Sequence, residues 1–362
     1  MITRSDTVGG AQKHVFDISI QLKSDGHDVE IISSGTGDFR DLVEKERINF
    51  FDLVLMKRAP SLLDDLKVIW GLRKKISADK PDVLSTHSVK AGMLGRIACI
   101  GNKTRVLFTA HGWSHIRSAS KVKGKLYKLL ESCLSKICHS VICVSLADYN
   151  YASSDIGISK KKLRLIPNGV KKTQCQKFNI KSFHEEEVLN LLSVVRFQPP
   201  KDFLTLIKGL KLIQGLPWRL KIIGDGDDIK SVRETIVFEG LDKQVYIEGF
   251  QSNTSQYYMD ADAVLLISKS EGLPMSLLEA MSFSKALIAS NVGGIPELIK
   301  DGWNGYLIEP DDCNKLAYAI KQLMDNKVGL CESMGHKSYS LFNEKYSFER
   351  MMKSLYEVYN AR

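Results

Sequence analysis

A chain of 362 residues is longer than one typical domain, and its 44% hydrophobic and 26% charged residues exclude a disordered or low-complexity polymer. No apolar run reaches the roughly 18 residues of a membrane-spanning helix, and the polar opening MITRSDTVGG does not read as a secretory signal. The net charge of +9 is local: residues 96–164 carry 13 basic side chains against three acidic ones, whereas 1–95 hold 14 of each and 165–362 hold 24 basic and 25 acidic.

In chain order, short β-rich runs alternate with helical patterns, which predicts parallel α/β units. In GAQKHVFDISIQLKSDGH, Ala11, Val15, Ile18 and Leu22 share one helical face and Gly26 stops the helix. DVEIISSG follows as a strand. LLDDLKVIWGLRKKI then precedes the strand DVLSTHS, a helix near 91–100 precedes RVLFTAHG, the lysine-rich segment 119–138 precedes SVICVS, and a helix near 147–156 precedes LRLIPNG. Residues 170–187 are polar and aperiodic and read as a linker. Alternation resumes with LNLLSVVRF, RLKIIGDG, QVYIEGF, AVLLISKS, ALIASNVGG and GYLIEP, and 312–362 reads as purely helical. Two α/β domains about a linker are expected: 1–169 and 188–345, with 346–362 a C-terminal helix that returns to the first. Only Met1–Arg4 are available for the first strand, which is therefore a stub unless the native start lies upstream.

The segment SKSEGLPMSLLEAM, residues 268–281, carries two glutamates eight positions apart around a Gly-Leu-Pro turn. Ser276 and Glu279 have the spacing of a capping box. With AVLLISKS as a strand before them and MSLLEAM as a helix after, Pro274 fits the first helical position, and the free amides beyond it attract phosphate. A carboxylate aimed at phosphate would repel it, so Glu271 and Glu279 are expected to either side, accepting hydrogen bonds from hydroxyls. Phosphates flanked by two diols describe a nucleotide-diphosphate sugar.

EGLPMSLLEAM resembles the Glu-x7-Glu motif of retaining, nucleotide-sugar-dependent glycosyltransferases of the GT-B type, family four. TVGGAQKHVFDISIQLKSDGHDVEII, HSVKAGMLGRIA, TAHGW, IPNGV, VVRFQPPKDF, IIGDGDD and NVGGIPELIKDGWNG are similar, in order, to that family's bacterial polysaccharide and lipid-linked glycan branch. The resemblance implies two Rossmann-like domains facing a cleft, with a helical C-terminal segment. It implies that Glu271 holds the donor sugar's hydroxyls, that Gly272, Leu273, Pro274 and Met275 lie near sugar or diphosphate, and that Glu279 binds the ribose diol. Arg196 and Lys201 would neutralise the departing diphosphate, and Gly9 and Gly10 would close on the same phosphates. Val195 and Asp202 stand where that family often has glycine. His111 would contact the donor sugar or assist the reaction, with His87 and Lys90 on the acceptor side.

The function this implies is transfer of a hexose or N-acetylhexosamine from a UDP-sugar to a polyprenyl-diphosphate-linked glycan in cell-surface polysaccharide synthesis. A nucleotide-sugar epimerase of related fold and a non-catalytic sugar- or lipid-binding relative are the alternatives. The Asp-x-Asp pairs in GDGD (224–227) and DAD (260–262) lack a further acidic cluster, so no metal or other cofactor is expected. Within 119–138, Val122, Leu126, Leu129, Cys133 and Ile137 form a stripe expected to pack on the sheet, away from Lys121, Lys125, Lys128 and Lys136. The basic region 96–164 has no nucleic-acid-binding motif and suits an anionic membrane surface, so a peripheral place on the cytoplasmic membrane's inner face is expected. The seven cysteines lack paired metal spacing, in keeping with a reduced cytoplasmic compartment.

Overall fold

The computed structural model describes residues 1–3, 9–35, 37–56, 61–172 and 188–361, which form two compact units. The first comprises Met1–Pro167 and Met352–Arg362, the second Asn168–Met351. The linker predicted over 170–187 lies, from 173 onward, outside the described residues.

The first unit runs α1 (Gly10–Ser24), β1 (Glu30–Ser33), α2 (Asp38–Lys45), β2 (Asn49–Asp52), α3 (Leu62–Asp79), β3 (Val83–His87), α4 (Val89–Ala98), β4 (Arg105–Ala110), α5 (Ser114–Arg117), α6 (Lys121–Lys136), β5 (Ser140–Cys143), α7 (Leu146–Ser154) and β6 (Leu163–Leu165). All its strand pairs are parallel. The expected stub is present as a single bridging residue: Ile2 pairs with Ile32 of β1 and with Thr86 of β3, joining the β1–β2 pair to the β3–β4–β5–β6 sheet. Counting that stub as the first strand gives the doubly wound order, whose direction reverses between the stub and β3. Near-continuous apolar strands such as VLFTA carry a sheet buried on both faces.

The second unit runs β7 (Leu189–Val194), α8 (Phe203–Lys211), β8 (Trp218–Ile223), α9 (Ile229–Phe238), β9 (Val245–Gly249), α10 (Ser255–Asp260), β10 (Ala263–Leu266), α11 (Met275–Ser282), β11 (Ala286–Ser290), α12 (Ile295–Leu298), β12 (Gly305–Ile308), α13 (Cys313–Asp325) and α14 (Lys327–Lys345). Its strands are parallel in the order β12-β11-β10-β7-β8-β9, which reverses between β7 and β10. The last helix, α15 (Phe348–Asn360), starts in the second unit and ends in the first.

Helix α6 departs from expectation. Its apolar stripe faces outward, with Val122, Leu126 and Leu129 at 81, 61 and 63% exposure and Cys133 exposed as well. The buried residues are Gly124, Glu131, Leu134 and Ser135, on the opposite face. The cause is an ion pair. Arg96 of α4 is fully buried, its Nη2 lies 2.9 and 3.1 Å from the two Glu131 oxygens, its Nε donates to the Gly92 carbonyl, and its guanidinium stacks on Phe108. Burial pushes the Glu131 carboxyl upward and the Arg96 charge opposes it. A buried carboxylate needs this partner, and satisfying it turns the apolar stripe to the surface.

Candidate active site

The strand-order reversal is where open α/β sheets bind ligands, beyond the carboxyl ends of the two strands concerned. In the second unit Arg196 follows β7 and Glu271 follows β10. The two loops are sewn together: Lys201 bridges Ser268, the Lys269 amide donates to the Pro200 carbonyl at 2.8 Å, and the Asp202 amide to the Ile267 carbonyl at 3.0 Å. The Lys201 ammonium is thereby held against the Glu271 carboxylate in a half-buried ion pair.

Glycines let other backbones approach these loops. Gly293 has φ +57°, and a Cβ there would stand 1.8 Å from the Glu271 carbonyl oxygen; the next amide, Gly294, donates to the Gly272 carbonyl at 2.9 Å. Gly224, at φ +141°, and Gly226, at φ +153°, would drive a Cβ into the carbonyls of Val195 and Phe197. The GDGD run thus packs under Arg196, and that packing accounts for its glycines.

Helix α11 begins at Met275, with Pro274 as its extended N-cap and no side-chain cap. Pro274 therefore sits one position before the helix instead of at its first residue. The capping box also fails to form, because Ser276 lies inside the helix and not at its N-cap, and Glu279 accepts instead from the buried Tyr258 hydroxyl, whose bond to its Oε2 is 2.9 Å. Burial and the Glu279 charge hold the Tyr258 phenol well above its ordinary range. Without a cap, the first-turn amides of α11 keep the partial positive charge of a helix start, and Leu273 and Met275 beside them are buried. Asn168, of the IPNG run, donates to the Leu273 carbonyl at 2.8 Å and so braces the turn. The Ser268 and Ser270 hydroxyls are buried in the same loop with no partner among the described residues. Asn168, Tyr258 and the two serines were not among the residues expected at the site; the IPNGV run for Asn168, and the place of Ser268 and Ser270 in the SKSEGLPMSLLEAM segment, were the signals available.

In the first unit the reversal point gathers histidines. His87 ends β3, His111 follows β4, and His14 lies one turn into α1, whose N-cap Gly9 is extended and whose first residue is Gly10. His87 Nδ1 stands 3.1 Å from His111 Nε2, and His87 Nε2 stands 3.0 Å from Ser85 Oγ. His14 packs edge-on against His111 with both nitrogens buried and unpartnered. His14 completes a cluster with His87 and His111, which periodicity along one helix could not reveal. Burial lowers all three imidazoles, His111 to about 4 and His14 and His87 well below the ordinary value, so they are neutral at pH 7. The three nitrogens lie within 4.8 Å of one another, the one group among the described residues that could hold a metal ion. The His87 and His111 rings argue for another role: with centroids 5.4 Å apart, their facing nitrogens lie on the line between ring centres, the alignment of a hydrogen bond. Ligands sharing one tetrahedral ion would converge at an angle. Lys90, expected on the acceptor side, pairs with Asp65 of α3 at 2.6 Å.

At the strand-order reversal a lysine–glutamate pair thus stands on loops that also carry Arg196 and the uncapped start of α11. Comparison with known proteins gives the family. The model described as Glycosyltransferase Family 4 matches residues 8–174, and that described as Glycosyl transferases group 1 matches 176–341. The chain belongs to the GT-B glycosyltransferases of family four and is a nucleotide-sugar-dependent glycosyltransferase. It is 28% identical over 322 residues to the UDP-Gal:alpha-D-GlcNAc-diphosphoundecaprenol alpha-1,3-galactosyltransferase of Escherichia coli, covering 85% of this chain and 82% of that one. It is also 28% identical, across 96% of both chains, to an O-antigen biosynthesis glycosyltransferase of the same organism. Among solved structures, the Anabaena protein HepE in complex with UDP and glucose superposes with a TM-score of 0.84 at 19% identity, covering 100% of this chain and 98% of that one.

Proposed function

We propose that the protein transfers a hexose or N-acetylhexosamine from a UDP-sugar to a hydroxyl of a polyprenyl-diphosphate-linked glycan during cell-surface polysaccharide synthesis, with retention at the anomeric carbon. The carrying observation is the Lys201–Glu271 pair, beside Arg196 and the uncapped start of α11, at the strand-order reversal. Breaking the bond from sugar carbon to diphosphate adds negative charge to the leaving group; Lys201, Arg196 and the α11 amides stabilise it. A donor diphosphate shares Lys201 with Glu271, and the carboxylate accepts from sugar hydroxyls on its other side. Glu279, steadied by Tyr258, takes the ribose hydroxyls. The family resemblance further assigns Gly9 and Gly10 to phosphate contact and His111 to the donor sugar. The relatives named for undecaprenol-linked and O-antigen substrates support the lipid-linked acceptor.

The same reading puts the protein on the inner face of the cytoplasmic membrane. No described helix is long and apolar enough to cross a bilayer. The outward stripe of α6, set among Lys121, Lys125 and Lys128, suits an anionic lipid surface. Leu62 and Trp70 of α3, 79 and 69% exposed, extend the apolar surface on the far side of α4, which packs against both helices.

The test is incubation of purified protein with a panel of UDP- and GDP-sugars, following nucleotide release. Preferential hydrolysis of a UDP-sugar, with transfer only when acceptor is added, is expected. Product formed from the donor alone without release of nucleotide would point to an epimerase; no turnover and no thermal shift with any donor would overturn the proposal.

A further inference from the structure

Neutral imidazole carries one N–H and one bare nitrogen, so a chain of imidazoles has a direction. His87 is engaged at both nitrogens, by Ser85 Oγ and by His111 Nε2. The Ser85 hydroxyl is buried, His87 is its hydrogen-bonding partner, and the buried Tyr359 hydroxyl of α15 faces it beyond formed hydrogen-bond geometry. Were His87 protonated at Nε2, the Ser85 proton would have only the phenol oxygen to turn to, and a buried donor without a good acceptor is unfavourable. The phenol is also the more acidic hydroxyl and thus the better donor. The opposite direction satisfies both formed hydrogen bonds: Ser85 O–H donates to His87 Nε2, and His87 Nδ1–H to His111 Nε2.

We infer that Ser85 and His87 are positioning residues that lock His111 as its Nδ1–H tautomer, so that the nitrogen left for a ligand is a neutral hydrogen-bond donor and not a base. The inference rests on the proposed function only for what His111 touches, a hydroxyl or ring oxygen of the donor sugar. A hydrogen-bond donor at that position orients the sugar without taking a proton from it.

The test is two-bond 1H–15N correlation spectroscopy on the full chain labelled with 15N-histidine, at pH 7 and without substrate. Protonated Nδ1 and bare Nε2 are expected on both His87 and His111. In Ser85→Ala, His111 should become a mixture with visible Nε2–H, and Ser85→Thr should restore the single form; Tyr359→Phe serves as the second variant if Ser85→Ala does not fold, and should move the same signals. With a UDP-sugar, Ser85→Ala should lower kcat roughly tenfold with KM unchanged. A wild-type His111 protonated at Nε2, or an unaltered pattern in Ser85→Ala, would overturn the inference. So would one equivalent of zinc retained on purification with both facing nitrogens bare. Intact tautomer signals in a protein inactive toward every UDP-sugar would sink the proposed function and leave the inference standing.

Discussion

At the scale of single residues, the Lys201–Glu271 contact is the feature on which the chemistry turns. Lys201→Met removes a charge from the leaving group's path and is expected to lower kcat by roughly 100-fold, while Glu271→Gln mainly weakens sugar selection. An unchanged kcat in Lys201→Met would mean the ammonium only neutralises its glutamate. Gly293→Ala tests the loop behind the pair: a Cβ 1.8 Å from a carbonyl, in a left-handed backbone, should cost more than about 2 kcal/mol in urea unfolding. Glu271 and Glu279 drew attention because two carboxylates spaced about a strand–helix junction suit hydroxyl recognition, whereas Arg196 and Lys201 entered through the family resemblance. Tyr258 was not legible, since it acts on the segment from a distant point of the chain and sits in no pattern of its own, and the IPNGV run that holds Asn168 gave no hint of its bond to Leu273.

Among elements, α6 shows where pattern reading stops. Counting apolar positions finds its strongest stripe, yet Glu131 and its buried partner Arg96 decide which face goes inward. Periodicity cannot weigh one ion pair from another helix against five apolar side chains. Breaking the pair with Arg96→Leu strands a buried carboxylate and should cost about 3–5 kcal/mol, whereas Arg96→Met with Glu131→Leu should recover most of it. The outward stripe makes a separate forecast. Leu126→Glu should abolish sedimentation with anionic vesicles and leave the unfolding midpoint nearly unchanged, as for a surface site; a large drop in the midpoint would show that the stripe is packed. The α2–β2 unit was also missed. NFFD is a short edge strand ending on an acid, too brief to alternate convincingly, and pairing with β1 supplies what its pattern lacks.

For the whole molecule, the alternation of strands and helices made both doubly wound units readable, because each buried parallel strand is a compact apolar run between turns. Acid sensitivity belongs at this scale. His111 and His115 are both held to about 4 by burial, below the ordinary value near 6.5, so the unfolded chain binds more protons between those limits. Stability is therefore complete above pH 6.5 and is lost as pH falls toward 4, by up to about 1.4 kcal/mol per pH unit for each such histidine. Urea midpoints at pH 7 and pH 5 check this; equal midpoints would contradict it. One further property follows from α15, which gives Phe348 and Met351 to the second unit and Leu355 and Val358 to the first. No single cut can divide this polypeptide into two self-sufficient fragments. A piece ending at residue 167 would lack its own closing segment, which the chain supplies only after the whole second unit has been made.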